Sequence, residues 1–253
     1  MTERDELILK LLQSRGLMSV QSLCDELDAS PATIRRDLER LESEGHLERV
    51  RGGARSLERT SVKLQGTPFE LNLRRNLNQK AAIGKQAAAL CEADEAIIID
   101  GGTTTFQMCP HLNDRNLHVL TNSLHIVDAL QRYRNVNLAV PGGSIFREQN
   151  IILSPFEDDG LKHFHASKMF IGAAGISAKG LMQADTILIQ AERKLMARAD
   201  KLIVLVDSSK FQNTAALVLC GLDKVDTVIT DKGISPAALK MLQKAAVNVI
   251  IAK

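Results

Sequence analysis

The apolar positions of the first 60 residues recur at intervals of three and four, which is the spacing of one helix face. These stripes occupy residues 5–15, 20–27 and 31–44, and short polar or glycine turns separate them. Residues 46–57 have the pattern of two short strands joined by a glycine turn. Three short helices and a hairpin predict a winged helix-turn-helix domain over residues 1–57.

The third helix begins with a serine and a proline. Ser30 can accept hydrogen bonds from the free amides of the first turn, and Pro31 suits the first helical position because that position needs no amide hydrogen. If Ile34, Leu38 and Leu41 face inward, polar side chains at the start of the helix face outward. A helix of this kind can place its N-terminal residues against bases and phosphates in the major groove. The DNA-binding candidates on it are Ser30, Pro31, Thr33, Arg35, Arg36 and Arg40.

The hairpin and the segment after it are basic. Five basic residues and one acid lie between positions 49 and 63. A basic wing can contact the DNA backbone or minor groove, and its candidate residues are Arg49, Arg51 and Arg55. Two alternatives remain for the module as a whole. Alternating Arg and Glu is also typical of a solvated helix face, and winged helices also bind proteins.

The pattern changes after the hairpin. Residues 58–78 have no sustained apolar period and are predicted to be a linker. From residue 79 to 253, helices alternate with almost continuous apolar strands such as Ala96–Ile99 and Leu202–Val206. This alternation predicts an α/β domain of three layers, in which helices cover both faces of a mostly parallel sheet.

Glycine, hydroxyl and acidic residues follow the predicted strands. Asp100-Gly-Gly-Thr-Thr-Thr follows the first of them, and residues 121–123, 142–144, 172–175 and 207–210 follow later ones. Ligands of such folds bind at the carboxyl ends of the strands. Free amides and hydroxyls there can hold an anion, and Lys210 can neutralise a phosphate. For each segment alone, a tight turn with a capping hydroxyl is the alternative.

Ser30-Pro-Ala-Thr-Ile-Arg-Arg-Asp-Leu, with Leu41, Gly45, Leu47 and Arg51-Gly-Gly-Ala, resembles the DNA-binding segment of the DeoR family of bacterial transcriptional regulators. The strand that ends in Asp100-Gly-Gly-Thr-Thr-Thr, and the segment Asp207-Ser-Ser-Lys-Phe, resemble the effector domain of the same family. The resemblance implies that Ser30, Thr33, Arg35 and Arg36 contact the groove. It also implies an effector domain similar in fold to ribose-5-phosphate isomerase and glucosamine-6-phosphate deaminase, which responds to phosphorylated sugars.

The resemblance identifies the effector-site candidates. They are Lys80, Asp100, Gly101, Gly102, Thr103, Thr104, Thr105, Asn122, Gly142, Gly143, Gly172, Asp185, Asp207 and Lys210. Glu192 and Lys194 extend the set, although Ile187-Leu188-Ile189 stand where the family usually carries acidic and basic residues. Ile152-Leu-Ser-Pro and Met169-Phe170 resemble the branch that contains regulators of L-ascorbate utilisation.

Composition narrows the other classes of function. The chain has 253 residues, a net charge of +2 and four cysteines without a CxxC pair. We therefore expect no disulfide framework, metal site or cofactor, and a cytoplasmic protein. The apolar runs are too short to span a bilayer, and the N-terminus lacks the apolar region of a signal peptide. Paired DNA half-sites require at least a homodimer.

A sugar-phosphate isomerase or deaminase with an accessory domain is the alternative function. Asp100, Asp185, Glu192 and Asp207 could supply its carboxylates. However, the segment after Gly175 lacks the Asp-Gly-His type of acid-base cluster seen in the deaminases, so we expect a regulator and not an enzyme.

Overall fold

The computed structural model describes residues 2–15, 17–50, 52–56, 69–147, 149–154, 160–213 and 215–253. The chain divides into two compact units, Met1–Arg75 and Asn76–Lys253. Each unit is described by itself.

The first unit is a winged helix-turn-helix, as the sequence predicts. Its elements are α1 Glu3–Arg15, β1 Leu17–Ser19, α2 Val20–Leu27, α3 Pro31–Ser43, β2 Leu47–Val50, β3 Gly53–Ser56 and α4 Phe69–Arg74. The strands form an antiparallel sheet in the order β1-β3-β2. The sequence pattern indicates only β2 and β3, because the three residues of β1 are too few to show a period.

The apolar stripes of α1, α2 and α3 meet in one core. Leu11, Leu23, Ile34 and Leu41 are fully buried there, and Leu38 is almost so. A hydrophobic stripe that excludes water in this way contributes most of the stability of a short helix. The packing fixes which face of α3 is turned outward.

Charged side chains also join α1 to α3. Asp5 is fully buried and pairs with Arg40, and Arg4 donates to Asp37 over 2.6 Å. Burial opposes ionisation of Asp5, but the Thr2 amide and the Arg40 guanidinium outweigh burial and hold the pKa of Asp5 below its ordinary value. The carboxylate therefore stays charged inside the unit, and Arg40 is the cation that compensates it.

Helix α4 lies within the segment for which the sequence predicts a linker. Its Leu71 is 5% exposed and packs into the core of the winged helix. Lys10 of α1 lies 3.5 Å from Glu70 of α4, and Arg75 pairs with Glu26 of α2. The boundaries at residues 57/58 and 78/79 stay a prediction, since residues 57–68 lie outside the described part of the chain.

The second unit contains the remaining elements. Its α-helices are α5 Leu77–Ala88, α6 Leu124–Leu130, α7 Thr186–Met196 and α8 Pro236–Lys244. Its strands are β4 Glu95–Ile99, β5 Leu117–Leu120, β6 Val136–Ala139, β7 Ser144–Phe146, β8 Ile151–Leu153, β9 Ala166–Ile171, β10 Gly175–Ser177, β11 Gly180–Gln183, β12 Ala199–Leu205, β13 Leu217–Cys220, β14 Thr227–Asp231 and β15 Asn248–Ala252. Short 3₁₀ helices span Thr105–His111, Leu161–His163, Ser208–Phe211 and Leu222–Lys224.

Seven strands form a parallel sheet in the order β15-β14-β12-β9-β4-β5-β6. From β4 the chain moves outward through β5 and β6. It then returns to β9 on the other side of β4 and continues through β12 to β15. The direction of winding changes between β4 and β9, and in open α/β sheets ligands bind beyond the carboxyl ends of the strands at such a point.

Both faces of the sheet are covered, which confirms the predicted three-layer α/β architecture. Successive side chains of β4 alternate between two cores. Ile97 and Ile99 pack with α5 and α6, whereas Ile98 belongs to the core on the side of α7 and α8. The hairpin β7–β8 and the small antiparallel sheet β10-β11-β13 are not indicated by the sequence pattern, since their strands have only three or four residues.

Replacing Leu71 by alanine tests whether α4 is part of the winged helix. Loss of a buried leucine should cost about 2–4 kcal/mol through lost burial and the resulting cavity. Hydrogen exchange should show faster opening of α1 and α3, while emission from Tyr133, the single tyrosine and a core residue of the second unit, stays unchanged. Leu77→Ala is the control because Leu77 is 46% exposed. Unchanged exchange in α3 would contradict the assignment of α4 to this unit.

Candidate DNA-binding surface and effector site

Helix α3 begins as the sequence predicts. Ser30 adopts an extended backbone, and its hydroxyl accepts from the Thr33 amide over 3.2 Å and lies 2.9 Å from the Thr33 hydroxyl. Pro31 is the first helical residue. This cap satisfies one of the free amides of the first turn and leaves the N-terminal end of α3 exposed.

Two of the predicted DNA contacts are exposed and unpaired. Arg35 and Arg36 lie one turn into α3 on its outer side, and neither makes an ion pair within the described residues. Arginine in this state can donate two hydrogen bonds to guanine or pair with phosphate without first breaking an internal contact. The structure thus presents both guanidinium groups from the face opposite the buried stripe.

The other predicted basic contacts are engaged within the unit. Arg40 pairs with the buried Asp5 and lies 3.4 Å from Glu44. On the wing, Arg49 lies 3.7 Å from Glu39, and Arg55 makes a bidentate pair with Glu48 at 2.7 Å for each bond. These arginines could contact DNA only in competition with acids that already hold them. Arg51, Arg59 and Lys63 lie outside the described residues.

The effector-site candidates meet at the carboxyl ends of β4 and β5. Asp100 is 3% exposed and accepts from the Asn122 side-chain amide over 3.1 Å. The Asn122 carbonyl oxygen accepts from the Gly101 amide over 2.9 Å, and its backbone oxygen accepts from the Ile152 amide over 2.7 Å. Asn122 therefore joins the ends of two strands to β8.

The turn after Asp100 packs tightly. Thr103, Thr104 and Thr105 are buried, and the Thr105 hydroxyl lies 2.7 Å from the Asp100 carbonyl and 2.9 Å from the Gly102 carbonyl. A Cβ on Gly101 would lie 2.6 Å from a methyl group of Ile151. Glycine is required there because β8 approaches the backbone too closely for any side chain.

Asp207 forms a second polar group at the same edge of the sheet. It is 2% exposed and accepts from Asn76 over 3.0 Å and from the Ser209 amide over 3.1 Å. Since β9 separates β12 from β4, Asp207 and Asp100 follow strands about 10 Å apart. Gly172 follows β9 between them, and Lys210 is half-buried in the 3₁₀ helix after Asp207. No described hydrogen bond joins Gly172 or Lys210 to Asp100.

Other candidates are more scattered. Gly142 and Gly143 are exposed after β6, where a Cβ on Gly143 would lie 2.4 Å from the Leu153 carbonyl. Asp185 caps α7 by accepting from the Ile187 amide over 2.8 Å. Lys80 is 1% exposed on α5. Asp231, which sequence reasoning did not select, accepts from Ser208 and Gly233 beyond β14, and its acidic side chain after a strand is the signal that was available.

Glu192 is a buried acid on α7. It is 4% exposed, and one of its oxygens accepts from Gln183 of β11 over 2.5 Å. The other oxygen has no hydrogen-bond partner among the described residues. Burial, and then the charge of Asp100, raise the pKa of Glu192 well above its ordinary value. Sequence reasoning did not select Gln183, because nothing local distinguishes it.

A cleft opens beside these acids. Its volume is about 260 Å³, and it is open to solvent. Asn122, Pro141, Ile152, Ser154, Ala191 and Lys194 are among the residues that line it. The Lys194 ammonium donates to the Ser154 carbonyl over 3.2 Å. The cleft is therefore bounded by the end of β5, the hairpin β7–β8 and one face of α7, which is where the winding of the sheet places a ligand.

The structure holds two further negative findings for the described part of the chain. No group of three or more His, Cys, Asp or Glu side chains is arranged to hold a metal ion. No described helix is both long and apolar enough to cross a membrane.

The pKa of Asp100 gives a pH dependence of stability. Burial raises this pKa from 3.8 to about 7, against hydrogen bonds from Asn122 and Gly101 that lower it. The unfolded chain releases the proton near pH 4 and the folded chain near pH 7, so the wild type loses stability as the pH rises between these values. Asp100→Asn lacks this proton, and its stability relative to wild type should rise by more than about 1 kcal/mol across that range.

Urea unfolding followed by Tyr133 emission measures this difference at pH 4.5 and pH 7. The exposed Asp114→Asn is the matched control and should show no such trend. A parallel pH dependence in wild type and Asp100→Asn would show that Asp100 ionises normally.

Comparisons with known proteins cover both units. A family model described as a DeoR-like helix-turn-helix domain matches residues 4–60, and one described as a DeoR C terminal sensor domain matches residues 75–232. The HTH-type transcriptional regulators UlaR of Shigella dysenteriae serotype 1 and of Escherichia coli are each 31% identical over 248 residues, which is 98% of this chain and 98% of each relative.

Solved structures match only the sheet domain. Ribose 5-phosphate isomerase A of Methanocaldococcus jannaschii is 19% identical with a TM-score of 0.40, and the match covers 54% of this chain and 55% of that one. The Plasmodium falciparum ribose 5-phosphate isomerase is 14% identical with a TM-score of 0.39, covering 52% of each chain. The full-length relatives and both family models decide the assignment: the chain is a DNA-binding transcriptional regulator and not an enzyme, and it belongs to the DeoR family.

Proposed function

We propose that this regulator represses a carbohydrate-utilisation operon and that a phosphorylated sugar modulates its affinity for DNA. The observation that carries the proposal is the cleft at the switch point of the sheet, beside the buried Asp100 and Asn122. Polar side chains buried next to an open cleft suit a hydroxylated ligand, since they supply directed hydrogen bonds at low solvent exposure.

Lys210 and the threonine turn support the phosphate part of this ligand. Lys210 supplies a cation at the same edge of the sheet, and the segment from Gly101 to Thr105 supplies backbone amides and hydroxyls. The other predicted effector residues remain candidates on the same grounds. The resemblance to regulators of L-ascorbate utilisation makes L-ascorbate 6-phosphate the first compound to test.

Modulation requires that the ligand bind two states of the protein with different affinity. We propose a homodimer or higher homo-oligomer that places two winged helices on paired half-sites, because an operator with two half-sites matches a two-fold symmetric protein. A regulator of this kind works in the cytoplasm, where the DNA is.

Arg35 and Arg36 are proposed to contact the operator. If they read base edges, Arg35→Ala and Arg36→Ala should each weaken specific binding by about 1–3 kcal/mol. Fluorescence anisotropy on DNA from upstream of the gene and its neighbouring operon, at one salt concentration, gives the affinities. Arg132→Ala is the control, since Arg132 is 73% exposed in the second unit. Normal affinity in both variants would remove α3 as the recognition helix.

The effector is tested in the same assay with a panel of sugar phosphates that includes L-ascorbate 6-phosphate. One sugar phosphate should change the DNA affinity of the wild type. Lys210→Ala should bind DNA normally and lose the response, because the phosphate loses its cation. A panel without effect on the wild type would refute the proposed ligand class, and a normal response in Lys210→Ala would refute the proposed phosphate contact.

A further inference from the structure

The unpartnered oxygen of Glu192 requires a physical explanation. Buried carboxyl oxygens nearly always have a hydrogen-bond partner, and leaving one without costs stability. The first oxygen is held by Gln183, so the side chain is fixed in place with its second oxygen free among the described residues. A ligand hydroxyl is a group that can satisfy it.

The position of Glu192 on α7 connects it with the cleft. Ala191 precedes it, and Lys194 and Leu195 follow within one turn, and all three line the cleft. Asn122 lines the cleft from the opposite side and holds Asp100. Glu192 and Asp100 interact electrostatically, since the charge of Asp100 raises the pKa of Glu192. The two buried acids therefore belong to one site.

We propose that Asp100 and Glu192 form an acid pair that keeps one proton and binds the hydroxyl groups of the sugar phosphate, so that effector binding depends on pH. This inference rests on the proposed function and assigns the part of the site that recognises the carbon chain rather than the phosphate. In the protonated pair, one carboxyl can donate to a sugar oxygen while the other oxygens accept from its hydroxyls.

The charged surroundings favour retention of the proton. Of the strands packed against α7, β8 and β11 carry no ionisable side chain, and β13 carries only Cys220, whose pKa burial raises to about 11. Asp200 and Lys201 lie exposed at the start of β12. On α7 itself, Arg193 donates to the Leu219 carbonyl and Lys194 to that of Ser154.

The elements around Asp100 likewise bring no cation to its carboxyl. Lys168 of β9 pairs with Glu95 at the opposite end of β4. His118 of β5 and His111 of the 3₁₀ helix are exposed. Lys80 of α5 is buried elsewhere in this unit's helical layer, and the contributions to the pKa of Asp100 are burial, Asn122 and Gly101.

The direction of the pH effect follows from these charges. Raising the pH removes the shared proton, so the site loses a donor and gains a negative charge that repels the phosphate. Wild-type affinity for the sugar phosphate should therefore fall as the pH rises from 6.5 to 8.5. Glu192→Gln keeps the shape and a donor but cannot ionise, so its affinity should be about tenfold less dependent on pH.

Isothermal titration calorimetry of the full chain with L-ascorbate 6-phosphate, and with the responding sugar phosphate of the panel, measures these affinities. Glu192→Leu should bind the same compound at least about tenfold more weakly at every pH. Glu92→Gln, an exposed position on the same unit, is the matched control and should follow the wild type. The ionisation of the phosphate itself affects all variants equally and cancels in the comparison.

Infrared difference spectra of the ligand-free protein provide a readout that does not depend on the effector. The wild type at neutral pH should show the carbonyl stretch of a protonated carboxylic acid, and Glu192→Gln should lack it. Unchanged operator binding by Glu192→Gln and Glu192→Leu shows that both variants are folded.

The outcomes separate the two proposals. If the wild type binds a sugar phosphate and Glu192→Gln has the same pH dependence, or if the infrared band is absent from the wild type, the acid pair is refuted and the effector class stands. If the wild type binds no compound of the panel, both the effector class and the role of Glu192 are refuted.

Discussion

The parallel order of the seven-stranded sheet is the constraint on which the sensor unit depends. Because every strand runs the same way, Asp100, Asn122, Gly172 and Asp207 come to one edge although they are up to about a hundred residues apart in the chain. The reversal of winding beside β4 leaves a space there that no connecting segment has to fill. The cleft is thus a consequence of topology, and the loops decide only what lines it.

The acids at this edge differ in how burial is compensated. Asp207 and Asp231 accept hydrogen bonds from amides and hydroxyls of the turns that follow them, as anions do at low cost. Asp100 receives a weaker set, and Glu192 has one donor for two oxygens. Water-excluded carboxyls with so few donors hold a proton instead of a charge, which is the condition for a neutral, hydroxyl-binding surface beside a phosphate site.

Local sequence patterns predict the parts of this structure that depend on local physics. The cap at Ser30, the helical stripe of Ile34 and Leu38, and the apolar run before Asp100 each follow from a spacing or a single turn residue, and the structure has all of them. The contacts that the sequence does not reveal join distant segments. Leu71 enters the core of the winged helix from a segment without an apolar period, and Gln183 meets Glu192 only because β11 packs against α7.

The same distinction applies to the basic residues of the winged helix. From sequence, Arg35, Arg36 and Arg40 look alike, since each is an arginine beside the buried stripe of α3. The fold separates them through Asp5, a residue of α1 that is fully buried and needs a cation. Arg40 supplies that cation and thereby fixes α3 against α1, because breaking the pair would leave an uncompensated buried charge. The helix is consequently held by apolar packing on one face and by an ion pair on its flank, which leaves Arg35 and Arg36 as the cations of α3 that can pair with DNA without disturbing the fold.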